Sequence, residues 1–192
     1  MDKLAYYLDL DFDYYNAASI FDNNHFRKYG YGELSADRRA CYLSHYMIYK
    51  LIIDKGLNNA LILEDGVDFE TNITAIMTDI HRNLPDSWDT LYIGHCFEGM
   101  GKPVGNSSFA NGLYESVNPG CKHAYAVSNS GARKLVEKLD PMKPQGAIDY
   151  AILARIMNKE ITSYSVHPPP IIQWKSEDES SDIPEYRVPI LV

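Results

Sequence analysis

The sequence predicts an α/β domain built on a largely parallel sheet, and two observations support this fold class. Short, continuous apolar runs of strand length alternate along the chain with longer segments whose apolar residues recur at helical spacing. That alternation is typical of strand–helix–strand units, whose helices cover both faces of a parallel sheet. The chain has 192 residues, 45% of them hydrophobic and 23% charged, which suffices for one domain with a buried core.

The first helix and strand of this alternation are the best defined. Ser35 is placed to cap a helix and Gly56 to end it, because a side-chain oxygen favours the first position and a left-handed glycine the second. Four apolar residues share one face of that helix, namely Ala40, Leu43, Met47 and Leu51. The run NALIL at 59–63 follows, and it predicts a strand buried on both faces.

The later elements continue the pattern. Apolar spacing predicts a helix from Ile73 to Leu84, which Pro85 ends, and another that Ser130 caps and that reaches Leu139. Further strands are predicted at three apolar runs, DTLYIG, HAYAVS and ITSYSV, and a last helix at AIDYAILARIM. Strands and helices therefore alternate to the end of the apolar part of the chain.

The remaining segments are polar and set the boundaries of the domain. Residues 99–112 are rich in glycine and serine and predict a loop. Residues 1–31, rich in tyrosine, aspartate and asparagine, form an irregular N-terminal segment, and residues 175–192 form an acidic C-terminal tail. The domain itself is predicted to span residues 32–174.

Composition excludes several classes of function. The net charge of −8 argues against a nucleic acid or an anionic membrane as the main partner, because both repel an acidic surface. The three cysteines have neither zinc-ligand spacing nor an even number, so we expect small, buried apolar residues. Without a signal peptide or a membrane-spanning run, the expected location is cytoplasmic, and the secretory pathway is the alternative if the N-terminus is incomplete.

Three carboxylates follow the strand at 59–63, in the stretch LILEDGVDF. Ligands bind at the carboxyl ends of the strands in open α/β sheets, and Glu64, Asp65 and Asp68 stand at such an end. Hard cations such as Mg²⁺ and Mn²⁺ prefer carboxylate oxygens and bridge to phosphates, so one reading is a metal-diphosphate site. The alternative is a solvated acidic turn in which Asp65 caps the next helix.

Other polar residues carry paired readings of the same kind. Ser44 and His45 share a helical face with Cys41, so they either point into a site or serve the packing of the helix. Arg38 either donates to a diphosphate or is solvated. Asp149 near the start of an apolar helix is either a surface residue that stabilises the helix dipole or a positioned base.

The turn between HAYAVS and the following helix offers a further candidate. A helix N-terminus there, at SNSG, can hold an anion or a sugar hydroxyl, and the alternative is an ordinary helix cap.

The order of the motifs is more specific than any one motif. GELSADRRACYLSHYMIYKLI, NALILEDGVDF, WDTLYIGHC, KHAYAVSNSGARKLV, AIDYAIL and HPPPIIQ follow one another in this chain. Over roughly residues 32–183 this order resembles glycosyltransferase family 25, which contains bacterial lipooligosaccharide (LPS biosynthesis) galactosyltransferases and procollagen galactosyltransferases.

The resemblance implies a GT-A-like, Rossmann-like fold, a UDP-sugar donor, Mn²⁺ or Mg²⁺, and a glycan or hydroxylated protein as acceptor. Asp149 would be the catalytic base, and Asp65 with Asp68 would hold the metal. Donor-binding roles are implied for six residues, namely Arg38, Ser44, His45, Glu64, Tyr125 and Ser128. The predicted function is a metal-assisted, inverting hexosyl transfer, with galactose or glucose as the sugar.

Two departures from the family pattern favour an alternative function. Gly66 stands where the Glu-Asp-Asp motif has its second aspartate, and we find no arginine-rich first strand like that of the family, so the domain is expected to be N-terminally truncated. The alternative is a catalytically inactive homologue that acts as a binding module. A metal-dependent phosphohydrolase would explain the acids but not the order of the other motifs.

Overall fold

The computed structural model describes residues 1–19, 34–96, 98–174 and 187–191. These residues form five helices: α1 (Asp2–Leu8), α2 (Ala36–Asp54), α3 (Ile73–Asn83), α4 (Asn129–Lys138) and α5 (Ile148–Met157). They also form ten strands: β1 (Asp13–Asn16), β2 (Asn59–Leu63), β3 (Val67–Phe69), β4 (Thr90–Gly94), β5 (Pro103–Val104), β6 (Gly112–Glu115), β7 (Ala124–Ser128), β8 (Ser163–His167), β9 (Ile171–Gln173) and β10 (Arg187–Leu191).

Eight strands form the main sheet in the order β1-β10-β2-β7-β4-β8-β6-β5, and β3 pairs with β9 in a second sheet. The α/β class is confirmed, but the prediction of a mostly parallel sheet is wrong. Among the described strands β4 pairs with β8 in parallel, and the other pairs are antiparallel. An apolar run shows that a strand is covered on both faces but not in which direction it runs, so the sequence did not reveal that β7 turns back between β2 and β4.

The helices and strands predicted within the domain are confirmed, with one change of cap. Ser35 is the N-cap residue of α2, and Gly56 takes the left-handed conformation beyond its end, with a φ of +64°. The cap of α4 is Ser128 and not Ser130, because the Ser128 hydroxyl accepts the Gly131 N–H at 3.0 Å. Both serines precede the same apolar stripe, so the stripe alone could not distinguish them.

Short strands account for most of the structure that the sequence did not predict. β5 lies inside the predicted loop at 99–112, and β3 and β9 form the small second sheet. β1 in the N-terminal segment and β10 in the C-terminal tail pair with each other, and β10 also pairs with β2, so both join the main sheet. Residues 20–33 and 175–186, where the predicted domain boundaries fall, lie outside the described residues.

The core has two parts, one on each face of the main sheet. Successive side chains of a strand point to opposite faces, and the strands in the middle of the sheet follow this rule. Tyr92 and Tyr125 pack in the part that also contains apolar residues of α2, α4 and α5. Leu91, Ile93 and Ala124 pack in the other part, with the apolar face of α3. The sheet is therefore covered on both faces, as the continuous apolar runs predicted.

The direction of the central strands decides which residues can meet. β2 and β4 both pair antiparallel with β7, and β8 is parallel to β4, so β2, β4 and β8 end together. We call that end of the strands the site edge, and the end where β2, β4 and β8 begin the opposite edge. β7 begins at the site edge, and it brings the residues just before it, Lys122 and His123, to the same place as Glu64.

Candidate functional site at the site edge

Glu64 is the first residue after β2, so a run of buried apolar side chains ends with a carboxylate at the site edge. Its N–H donates to the carbonyl oxygen of His123 at 2.8 Å, which continues the pairing of β2 with β7. The side chain is 22% exposed, so the carboxylate reaches both the interior and the solvent. A ligand at this edge can therefore contact it.

His45, on α2, faces Glu64 from inside the protein. Its Nδ1 lies 2.8 Å from the hydroxyl oxygen of Tyr125, which in turn lies 2.6 Å from the hydroxyl oxygen of Tyr49. Its Nε2 lies 3.7 Å from Oε1 of Glu64, which is too long for a hydrogen bond, and that nitrogen is buried without a hydrogen-bond partner. The chain of side chains thus ends in an unused ring nitrogen beside a carboxylate.

The charge states of this pair follow from burial and from its neighbours. Burial lowers the pKa of His45, while Glu64 raises it and Lys122 lowers it further. Burial raises the pKa of Glu64, but attraction to His45, Lys122 and His123 together holds that pKa below its ordinary value. Near neutral pH the pair is therefore a carboxylate facing a neutral imidazole.

Lys122 and Asp149 form an ion pair next to Glu64. The Lys122 side chain is 1% exposed, and its ammonium contacts Oδ1 of Asp149 in the first turn of α5. Burial lowers the pKa of Lys122 to about 8, against the attraction of Cys41 and Glu64. Asp149 is 46% exposed, so part of its carboxylate stays open to a ligand. The sequence did not single out Lys122, because a lysine before a strand is ordinarily solvated.

Three of the residues predicted to bind a donor lie apart from this group. Arg38 is exposed in the first turn of α2. Ser44 is buried, its hydroxyl donates to the carbonyl of Ala40 at 2.7 Å, and it accepts the N–H of Ala18 at 2.9 Å. Ser128 caps α4 at the opposite edge. Each residue thus has the non-binding arrangement that the sequence also allowed: Arg38 is solvated, Ser44 is packed within its helix, and Ser128 caps a helix.

The acidic turn after β2 is shaped by its glycine. Gly66 has a φ of +67°, and its carbonyl accepts the Trp174 N–H at 2.6 Å. A Cβ at Gly66 would lie 2.9 Å from the carbonyl oxygen of Trp174, so both the conformation and the space favour glycine. Asp65 is half-buried, and Asp68 lies in β3, where its Oδ1 accepts the Phe69 N–H at 2.9 Å. The glycine thus serves the turn itself.

Asp65 and Asp68 lie outside the clusters of three metal-ligating side chains found among the described residues. Two groups of three ligand-bearing side chains lie within 4.8 Å among the described residues, namely Cys41 with His45 and Glu64, and Cys96 with Cys121 and His123. Neither contains Asp65 or Asp68. Mg²⁺ is ordinarily held by one or two carboxylates together with substrate phosphates, so a cation at this turn would take part of its ligands from a bound diphosphate.

Cys96 and Cys121 form a disulfide, so the prediction that the cysteines are small, buried apolar residues is wrong for this pair. The two residues are 25 positions apart and meet because β4 ends where the neighbouring β7 begins, which the spacing alone does not show. Cys41, on α2, keeps a free thiol and is half-buried. The disulfide therefore connects the site-edge ends of two central strands.

A cavity of about 440 Å³ opens beside the disulfide at the site edge. His95, which follows β4, and His167, which ends β8, line it and stack with a ring separation of 6.1 Å. Nε2 of His95 lies 2.9 Å from the carbonyl oxygen of Val166, and a carboxylate oxygen of Glu98 accepts the Ser165 hydroxyl at 2.7 Å. The sequence offered one signal for the two histidines, since each stands at the carboxyl end of a predicted strand.

Residues 8–99 match the sequence profile of glycosyltransferase family 25, whose description adds "LPS biosynthesis protein". Over these residues, just under half of its length, the chain is similar to glycosyltransferase family 25. The match includes His45 and Glu64, and it begins well before residue 32, where the resemblance of motifs begins. The mixed α/β architecture is compatible with the GT-A-like fold that the family implies.

Named relatives in this family are longer than the chain. Procollagen galactosyltransferase 1 of Danio rerio is 29% identical over 152 residues, which are 77% of this chain and 24% of that protein. Procollagen galactosyltransferase 2 of Mus musculus is 29% identical over 157 residues, 79% of this chain and 23% of that protein. The chain thus spans about a quarter of the length of these relatives.

Inactive members of family 25 are also similar to this chain. The human protein named inactive glycosyltransferase 25 family member 3 is 34% identical over 103 residues, 50% of this chain and 16% of that protein. The family alone therefore leaves both the active and the inactive reading open. Among the described helices, none has the length and apolar character needed to cross a membrane.

Proposed function

We propose that this chain transfers a hexose, galactose or glucose, from a UDP-sugar to a glycan or a hydroxylated protein, with inversion at the anomeric carbon. The observation that carries the proposal is the group of Glu64, His45, Lys122 and Asp149 at the end of the central strands. Ligands of open α/β sheets bind at this edge. Similarity to two procollagen galactosyltransferases supports galactose over glucose.

Asp149 is the proposed base. Its carboxylate would take the proton of the acceptor hydroxyl as that oxygen attacks the anomeric carbon. The ammonium of Lys122 favours the ionised form of Asp149, because an opposite charge in contact stabilises the carboxylate. Glu64, with its partly exposed carboxylate, is proposed to accept hydrogen bonds from hydroxyl groups of the sugar.

Mn²⁺ or Mg²⁺ stays part of the proposal as a cofactor that the family implies. Such a cation would neutralise the leaving diphosphate. Asp65 and Asp68 are the proposed ligands, but they lie outside the clusters of three metal-ligating side chains found among the described residues, so the steps above do not depend on the metal.

A catalytically inactive homologue that acts as a binding module is the second candidate. Similarity to the human inactive family member supports it, and so does the turn conformation of Gly66 in place of a motif aspartate. In that case the site edge would still hold a sugar nucleotide or a glycan but would not turn it over.

UDP release from UDP-galactose and UDP-glucose, with and without Mn²⁺, separates the two candidates. Measurements use the chain as it stands, a panel of glycan and hydroxylated peptide acceptors, and the variant Asp149→Asn. The matched control is Asp86→Asn, an exposed aspartate near the opposite edge. We expect turnover to fall by about 100-fold or more in Asp149→Asn, in the range typical for loss of a general base, and to be unchanged in Asp86→Asn.

Two results would contradict the proposed transferase. Absence of UDP release with every donor and acceptor, together with measurable UDP binding, would support the binding module instead. Turnover that is the same in Asp149→Asn and in the wild type would overturn the role of the base while keeping the transferase.

The disulfide bears on the location in which this function operates. Disulfides persist in oxidising compartments and are rare in the cytosol. The bond between Cys96 and Cys121 therefore supports the secretory alternative over the cytoplasmic expectation. Reaction of the freshly purified protein with a thiol reagent, in denaturant and without a reductant, tests this, because one free thiol is expected with the bond intact and three without it.

A further inference from the structure

We propose that Cys41, His45 and Glu64 form a binding site for a divalent transition metal of the Zn²⁺ class. The site differs in its ligands from the Mn²⁺ or Mg²⁺ site that the family implies, and it does not rest on the proposed transferase activity. Its metal would join α2, which carries Cys41 and His45, to the end of β2, which is followed by Glu64.

The distances fit a tetrahedral metal. One sulfur, one ring nitrogen and one carboxylate oxygen of the three residues lie within 4.8 Å of one another. Zinc bonds of about 2.3 Å to sulfur and about 2.0–2.2 Å to nitrogen and oxygen place tetrahedral ligand atoms about 3.3–3.6 Å apart. The 3.7 Å between His45 Nε2 and Glu64 Oε1 is close to that value, so a small contraction would complete the geometry.

The unpaired nitrogen of His45 is an independent sign of a missing partner. His45 is 0% exposed, and its Nε2 has no hydrogen-bond partner although buried polar atoms are ordinarily paired. Its Nδ1 is occupied by the hydroxyl of Tyr125. When Nδ1 donates to that hydroxyl, the lone pair of Nε2 faces the Glu64 carboxylate and the two repel each other. A cation between them would be bound by both the nitrogen and the carboxylate oxygen.

The charge and the softness of the three ligand atoms indicate which class of metal ion would bind. A thiolate from Cys41 and the Glu64 carboxylate together neutralise a divalent ion, while the adjacent charges of Lys122 and Asp149 balance each other. Thiolate and imidazole ligands favour Zn²⁺ and its neighbours over Mg²⁺, which prefers oxygen. Burial raises the pKa of Cys41, so metal binding would release the thiol proton to the buffer as the sulfur–metal bond forms.

Cobalt(II) is the probe that reports on this site most directly. Cys41 is the free thiol of a chain with three cysteines when the Cys96–Cys121 disulfide is intact. In buffer without a reductant, a thiolate-to-cobalt absorption band therefore reports on Cys41 and not on the group that includes Cys96 and Cys121. We expect one cobalt ion per chain, a near-ultraviolet band, displacement by one equivalent of Zn²⁺, and release of a proton.

Variants separate this site from every other. Cys41→Ser should abolish the band, and Glu64→Gln should weaken cobalt binding by about 10-fold or more. Tyr125→Phe, which removes the hydroxyl that contacts both His45 and Tyr49, should weaken it by about 10- to 100-fold. Asp68→Asn is the matched control, because it alters the ligand that the family-type metal site would use. It should leave cobalt binding unchanged.

Absence of a one-to-one cobalt band in the wild type would overturn the proposal. So would Zn²⁺ affinity, measured with a competing chelator, that is the same in Cys41→Ser and in the wild type. Thermal unfolding of the metal-free variants shows which of them fold, and if Cys41→Ser does not, Glu64→Gln and Tyr125→Phe decide the question. UDP release is measured separately, so failure of the transferase and failure of the metal site give different results.

Discussion

At the opposite edge of the sheet the buried carboxylate of Asp89 is fully paired, although the nearby Thr90 hydroxyl is not, whereas at the site edge a buried ring nitrogen beside a carboxylate has no partner. Asp89, just before β4, is 1% exposed, and its Oδ2 accepts the Thr162 N–H at 2.8 Å and the Lys134 ammonium at 2.6 Å. Its carbonyl accepts the Ser128 N–H at 3.0 Å. At the site edge, His45 Nε2 is buried without a partner.

The difference between the two edges separates the motifs of the family resemblance into those that stabilise the fold and those that leave groups open to a ligand. The Trp-Asp motif and the Ser-x-x-Gly turn meet at the opposite edge, where a Cβ on Gly131 would lie 2.2 Å from the carbonyl oxygen of Asp89. Those motifs hold the beginnings of β4, β8 and α4 together. The helix motif with His45 and the acid-ended strand with Glu64 leave unsatisfied groups, which a ligand could satisfy. The family resemblance alone did not distinguish motifs that stabilise the fold from motifs that bind a ligand.

Asp89→Asn should have the largest effect on stability. The change removes the charge of a buried carboxylate that accepts from both a backbone N–H and an ammonium. We expect the free energy of unfolding to fall by about 3 kcal/mol, because the two hydrogen bonds that the buried carboxylate oxygen accepts lose the assistance of its charge. Urea unfolding measures this. Glu64→Gln at the site edge should cost less than about 1 kcal/mol, and a larger loss there than in Asp89→Asn would break the comparison.

Gly66→Asp should have an intermediate effect. The φ of +67° strains any residue with a Cβ, and that Cβ would meet the Trp174 carbonyl, so we expect a loss of about 2 kcal/mol. Gly56→Asp is the matched control, because Gly56 has a φ of +64° but nothing within 4 Å of the added Cβ. It should lose about 1 kcal/mol.

Mn²⁺ affinity, measured by calorimetry on the same proteins, tests whether an aspartate at Gly66 adds a metal ligand to the acidic turn. A strained turn whose Asp65 and Asp68 lie outside the clusters of metal-ligating side chains among the described residues should gain no affinity when Gly66 becomes aspartate. Tighter Mn²⁺ binding by Gly66→Asp would show that the site needs only the missing motif acid, and it would favour the inactive homologue among the two candidate functions.

Lys122→Met should have the smallest effect, visible in the pH dependence of stability. The folded pKa of Lys122, about 8, lies below its ordinary value of 10.5, so between these values the unfolded state holds the extra proton and stability rises with pH. We expect the wild type to gain about 1 kcal/mol between pH 8 and pH 9 relative to Lys122→Met. Equal slopes in urea unfolding for the two proteins would show that the ammonium is not desolvated.

The sequence predicted what depends on local pattern and missed what depends on distant partners. Apolar runs and helical spacing located the helices and strands of the domain, and the acid at the end of NALIL marked Glu64 at an edge where ligands bind. The direction of β7 could not be read from HAYAVS, because a run buried on both faces is the same in either direction.

Side-chain roles were harder to predict than elements. Ser44 holds the backbone of Ala18, 26 residues away, and nothing near Ser44 in the sequence indicates that contact. Lys122 and Cys121 reach the site edge only because β7 is reversed. The order of motifs pointed to the family that this chain is similar to, but the neighbours of each residue depended on how strands far apart in the chain are arranged in the sheet.

The pairing of β1 with β10 determines the order in which the sheet can be completed. β1 comes early in the chain, and its partner among the described strands, β10, comes after all the others. A ribosome therefore releases β1 long before it has anything to pair with, and the outer side of β2 likewise waits for β10. Until then, β2 exposes an unpaired strand edge, which is a template for pairing with another chain.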